Sequence, residues 1–152
     1  MREIKFRGKS KNVNEWCYGT YIFTDDNTNN PFRTRPLKES HRIVFWVAGD
    51  WNMGGWDYEE VIPETIGQYT GLKDKNGKEI YEGDIIGCYN PKIKHLIFYN
   101  EKQGRFMAAL NGDIENDYTS VCGLDDSRWN ASKEVIGNIH DNPELIKEES
   151  HE

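Results

Sequence analysis

The chain has 152 residues, 36% of them hydrophobic and 12% aromatic, with a formal net charge of −7. That length suits one domain or two small packed subdomains, and the acidic balance argues against indiscriminate polyanion binding, although a local basic patch survives it. No apolar run reaches membrane-span length and no signal-type apolar segment opens the chain, so the expectation is cytoplasmic location without membrane association.

Residues 2–7 alternate charged and apolar, with Ile4 and Phe6 on one face and Glu3, Lys5 and Arg7 on the other. This predicts a half-buried strand. A polar turn over 9–14 leads to a second strand over 16–23. Both faces of that strand carry bulky residues, which predicts a place inside a sheet. Gly19 within it predicts a bulge or a close backbone approach. The stretch 24–31 is a loop by composition, and Pro31 and Pro36 make 32–40 irregular. A nearly continuous apolar run predicts a strand over 42–48. A glycine-rich loop over 49–57 then carries Trp51, Met53 and Trp56, and 58–62 returns as a strand. A soft boundary at 63–65 closes an N-terminal β-rich subdomain over 1–63.

A short strand over 65–70 leads into a hairpin. Asn76-Gly77, between arms at 72–75 and 78–81, predicts a type I′ turn with positive φ at both residues. Gly83-Asp84 breaks the run. Asp84 is expected to accept backbone N–H bonds and hold a kink there. Strands follow over 85–89, stopped by Asn90-Pro91, then over 93–99 and 105–110. Asn111-Gly112 is a second hairpin signal. A strand over 119–122, a polar loop over 125–132 holding Trp129, and a strand over 134–139 complete the β part. Asn142-Pro143-Glu144 predicts an N-cap, a proline at N1 and an acidic first turn. Residues 142–152 are expected to form a short helical turn or a frayed acidic tail. The even spacing of short strands and turns makes the chain mainly β, a β-rich α+β at most.

No catalytic signature is present. The three cysteines, Cys17, Cys88 and Cys122, are widely spaced and odd in number, which predicts free, buried thiols rather than a disulfide framework. No Cys/His spacing suits a metal. Asp25-Asp26, Glu59-Glu60 and Asp125-Asp126 are adjacent pairs, and neighbours on a strand point to opposite faces, so they read as turn charge. No nucleophile elbow or phosphate cradle is present. The expectation is a protein that is not an enzyme and uses no cofactor or metal.

Binding is the better class. Arg2, Lys5, Arg7, Lys9 and Lys11 form a basic N-terminal strand and turn, and Arg33, Arg35, His41 and Arg42 form a second cluster. Trp51, Met53, Trp56 and Tyr58 lie near a glycine-rich tip. Three readings follow, in order of preference. The tryptophans fold inward over the core. They form a contact to another subunit or a partner protein. They stack single-stranded nucleic acid beside the basic residues.

The block PETIGQYTGLKDKNGKEIYEGDII over 63–86 resembles the signature of the YopX family, small proteins encoded by phages and prophages. REIKFRGKS over 2–10, EWCYG over 15–19 and EVIGNIHDNPEL over 134–145 extend the resemblance in the family's order. It implies a mostly β protein whose C-terminal part, 64–141 here, is an SH3-like barrel against which the N-terminal subdomain packs. It brings no established activity and no catalytic residue. The expectation is a phage-type accessory protein acting as a protein-interaction or self-assembly module, possible as a homo-oligomer, with single-stranded nucleic-acid binding as the alternative.

Overall fold

A computed structural model describes residues 1, 3–24, 39–50, 54–88, 90–116, 118–120 and 133–146. Among these the protein is mainly β, with two antiparallel sheets and two short 3-10 turns at Pro63–Thr65 and Pro143–Leu145. No helix among them is long and apolar enough to cross a membrane. The chain divides into two compact units, Ile4–Gln68 and Tyr69–Glu152, the latter joined by Met1–Glu3.

In the first unit, β1 (Phe6–Lys9), β2 (Trp16–Thr24), β3 (Ser40–Val47) and β4 (Gly55–Glu60) form an antiparallel ladder in the order β4-β3-β2-β1. The first residues of β5 (Gly67–Lys73) pair with β1, Gly67 opposite Arg7 and Gln68 opposite Phe6. The expected first strand over 2–7 is displaced toward the C-terminus. Ile4 stays exposed while Arg7 is buried, because β1 is flanked on both edges and its charged side chain finds an aromatic ring to lie against. Gly19 is a close approach: a Cβ there would stand 2.1 Å from the Val44 carbonyl oxygen. The polar turn after β1 is tied to the end of β4. The Ser10 hydroxyl and the Asn12 amide both donate to Glu59 Oε1, and Lys11 Nζ lies 2.7 Å from Glu60 Oε1.

In the second unit, the remainder of β5 pairs with β6 (Glu79–Tyr81). A separate five-stranded ladder runs β10-β9-β8-β7-β11, formed by β7 (Asp84–Cys88), β8 (Asn90–Asn100), β9 (Arg105–Leu110), β10 (Tyr118–Ser120) and β11 (Glu134–Asn138). Its strand order does not return on itself, so no closed barrel forms among the described residues. Both faces of this ladder are covered, which is why every residue of β7 is buried. Ile80 and Leu72 pack on the face bearing Ile86, Cys88, Ile97, Phe106 and Ala108. Ile139, Leu145 and Ile146 pack on the face bearing Ile85, Leu96 and Ala109.

β7 ends at Cys88, before Asn90-Pro91 as expected, and the chain reverses at once into β8, which begins at Asn90, earlier than the expected start at 93. The C-terminal helical turn is present at Pro143–Leu145, but Asn142 makes no side-chain cap bond. Asn76-Gly77 is not a type I′ turn, because only Gly77 lies at positive φ, +82°. Gly77 N–H donates to the Asp74 carbonyl and Asp74 N–H to the Lys78 carbonyl. That pattern is a type I turn followed by a left-handed glycine, the three-residue hairpin loop. The two-positive-φ geometry appears instead at Asn111 (φ 49°) and Gly112 (φ 81°), where Asp113 N–H donates to the Leu110 carbonyl.

Candidate functional site

Register in the first unit lines up side chains in rows across three strands. Ile22, Arg42 and Glu60 form one row, Thr20, Val44 and Tyr58 the next, and Trp46 with Trp56 the row after that. Residues two apart on a strand share a face, so these rows belong to one face. Along β2 the same alternation reaches Tyr18 and Trp16, opposite Arg7 and Lys9 of β1.

This face is rich in exposed aromatic surface. Trp56 is 71% exposed, Trp46 56% and Tyr58 55%. The two indoles meet edge to face with centroids 5.3 Å apart. A cross-strand aromatic pair of this kind is worth about 0.5–1.5 kcal/mol. The pair draws Trp56 out of the expected loop over 49–57 and onto β4, where it does not fold inward over the core. Trp51, Met53, Arg33 and Arg35 lie outside the described residues.

Cations on this face are engaged by aromatic rings. The Arg42 guanidinium carbon sits 4.7 Å from the Tyr58 ring centroid, and that of Arg7 sits 4.5 Å from the Trp16 centroid. Lys9 Nζ approaches the same indole at 5.8 Å. Such contacts are worth about 0.5–2 kcal/mol each as solvent is excluded. The expected basic track is therefore shortened from within, since Arg7 is buried and Lys11 is paired with Glu60. Toward the hairpin end the charges are negative. Asp50 and Asp57 are exposed, and Asp57 Oδ1 accepts the Tyr58 N–H at 2.8 Å.

The opposite face of the same sheet is a packed one. The Tyr21 hydroxyl and His41 Nδ1 share a hydrogen bond at 2.8 Å, and Phe6 and Phe23 tilt against this pair. Burial pushes the Tyr21 phenol up from its ordinary value. Ile43, fully buried, lies on this side.

The turn residues of the second unit have structural work. Asp84 is buried and its Oδ2 accepts the Tyr81 N–H at 2.8 Å. Gly83 (φ 84°) donates its N–H to the Ile97 carbonyl and accepts from the Ile139 N–H. Sequence reasoning passed over Asp74, which is buried within the hairpin turn. Its Oδ1 accepts from Asn76 and Lys78 N–H, and its Oδ2 from Val135 N–H, at 2.8, 2.9 and 3.1 Å. Burial alone raises this carboxyl, but the three N–H donors and Lys78 together outweigh it and hold the group below its usual value. The signal was present: aspartate is favoured at the first position of a type I turn. Lys133 was passed over as well; it is buried at the start of β11. Cys17 and Cys88 are free thiols, and Cys122 lies outside the described residues. Burial pushes Cys88 up to about 11, against an opposing pull from the Lys133 charge.

Comparison with known proteins places these features in a wider set. A family model described as YopX protein matches residues 5–147. The crystal structure of protein EF1440 from Enterococcus faecalis is similar, with a TM-score of 0.54 and 27% identity over 97% of this chain and 100% of that one. No protein of curated function matches.

Proposed function

Because this chain belongs to the YopX family, we propose that it is a non-enzymatic accessory protein of phage or prophage type, working in the host cytoplasm by binding another protein chain. The observation that carries this reading is the exposed cluster of Trp46, Trp56 and Tyr58 on one face of β3 and β4. Apolar area left in water costs about 25 cal/mol per Å², and clustered tryptophan and tyrosine are the usual anchors of an interface. The SH3-like barrel is part of the same proposal: β5–β6 packed over the five-stranded ladder supports it as an open variant of that architecture.

Single-stranded nucleic acid ranks second as a ligand. Stacking aromatics favour it, but the cations on the face are already set against rings and the hairpin end carries carboxylates. The test is a double variant, Trp46→Ala with Trp56→Ala, on protein studied by light scattering and by oligonucleotide titration at low salt. A self-assembling or partner-bound protein loses mass in the variant while its β signal in circular dichroism persists. Oligonucleotide binding that falls with salt and disappears in the variant supports the second reading instead. If the variant changes neither mass nor any association, the interaction reading is wrong.

A further inference from the structure

We infer that two copies of this chain meet face to face through the aromatic surface of β3 and β4, about a twofold axis that runs parallel to these strands and midway between them. This rests on the interaction reading above and names the partner as a second copy.

The area is large enough. The β2–β3 register, continued by one pair, brings Tyr18 into the Trp46–Trp56 row, and the next row carries Tyr58. Tyr18 is 45% exposed, beside 56% for Trp46, 71% for Trp56 and 55% for Tyr58. A buried aromatic side chain hides about 150–250 Å², so the exposed parts of these residues offer roughly 350–550 Å² on each copy. Two copies together offer roughly 700–1,100 Å², and a specific interface needs about 1,000 Å². Ile22 and Val44, on the same face, add to it.

The charges admit a second copy. A chain of net charge −7 repels its own kind, but this face holds its carboxylates back. Strand alternation sends Asp57 and Glu59 of β4 to the opposite face. Glu60 is the carboxylate that remains in the rows, and Lys11 Nζ offsets it from one side at 2.7 Å. Opposite Glu60 in register stands Arg42. Its guanidinium lies over the Tyr58 ring and makes no ion pair or hydrogen bond among the described residues, and its buried Nε lacks an acceptor.

Register then selects the axis. A twofold contact must be complementary to itself. Rotation about a line midway between β3 and β4 keeps each row and exchanges the two strands. Arg42 of one copy faces Glu60 of the other, Val44 faces Tyr58, and Trp46 faces Trp56, each contact being made twice. An axis along β3 sets Arg42 against Arg42, and an axis along β4 sets Glu60 against Glu60, both of them like-charge contacts. Arg42 keeps the Tyr58 ring beneath it and gains a carboxylate for its fork. Two sheets stacked in this way, with strands nearly aligned, pack as the halves of a β-sandwich do.

The test uses the full chain. Sedimentation equilibrium on the wild type is expected to show a dimer that dissociates on dilution, with tryptophan emission moving to the blue as the mass doubles. Arg42→Glu and Glu60→Lys each set like charges together at both contacts, and each should weaken the dimer about tenfold or more. Mixed in equal amounts, the two variants restore both contacts with the signs exchanged, and the dimer should return to within about threefold of wild type. Asp57→Lys, on the opposite face, should leave the dimer at least as tight. A dimer that neither reversal weakens overturns the inference, as do reversals that fail to rescue each other. Wild-type protein that stays monomeric overturns it too, but leaves the protein-interaction reading standing, since a different chain can take the same face. A single-stranded oligonucleotide that quenches these indoles in monomeric protein overturns both. If a reversal unfolds its hairpin, the wild-type emission still decides. Mass that doubles with no blue shift means that Trp46 and Trp56 stay in water and the copies meet elsewhere, which overturns the inference.

Discussion

Replacing Asp74 by alanine should unfasten the hairpin of β5 and β6 from β11. The carboxylate accepts three backbone N–H groups at 2.8–3.1 Å, and Val135 lies 61 positions away in sequence. A hydrogen bond to a charged group contributes roughly 1.5–3 kcal/mol. The donors at Asn76 and Lys78 belong to exposed residues and regain water in the variant, whereas Val135 is half-buried. We therefore expect a loss of about 3 kcal/mol, not the sum of three full bonds. For a unit of this size that lowers the melting temperature by roughly 12–20 °C. Hydrogen exchange is the sharper assay, because it reads the Val135 amide itself; about 3 kcal/mol corresponds to roughly 150-fold faster exchange where global opening governs it. The acid dependence carries a sign. A carboxyl held below its unfolded value stabilises the folded state above that unfolded value, and the contribution is lost as pH falls through the depressed folded value. The stability gap between wild type and Asp74→Asn should accordingly be steady near neutral pH and shrink as pH is taken below 3.8, the ordinary value from which Asp74 is lowered. A melting temperature within about 2 °C of wild type for Asp74→Ala, or a gap unchanged by acid, refutes this account.

Other outcomes follow from the same geometry. Gly77→Val should cost about 1 kcal/mol or more in a urea titration, purely from backbone strain at φ +82°, since nothing lies within 4 Å of a Cβ there; Asn76→Ala should cost less, and equal costs would argue against the type I turn. Gly19→Ala should cost about 2–3 kcal/mol and loosen amide protection in β3, because the new Cβ meets the Val44 carbonyl oxygen; a fully stable variant would mean that β2 and β3 separate freely. In a Cys122→Ser background at pH 8, Cys17 should react with a small thiol reagent before Cys88, which is buried and pushed up to about 11; Cys88 reacting first would show that β7 opens readily.

Features within a few residues of each other were legible in the sequence. Gly83-Asp84 marked a kink, and Asp84 does accept the Tyr81 N–H. Gly19 marked a close approach, and it stands against the Val44 carbonyl. Mainly β architecture followed from the spacing of turns, and the family from the block at 63–86 with its flanks. Turn type was less secure. Both Asn-Gly pairs carry the same local preference, yet only Asn111-Gly112 adopts positive φ at both residues. At Asn76 the Asp74 carboxylate pulls the loop into a different turn, tied to Val135 of a distant strand.

What only the tertiary structure decided are the pairings between distant segments. Alternation placed Arg7 on the solvent face, but strands on both edges of β1 and the Trp16 ring across the ladder bury it. Composition made 49–57 a loop, but pairing with Trp46 makes Trp56 part of a strand. Backbone dihedral preferences act over two to four residues, so they are written locally. Burial of a side chain depends on which strand lies beside it and what covers the face, and that is set by the register of the whole sheet.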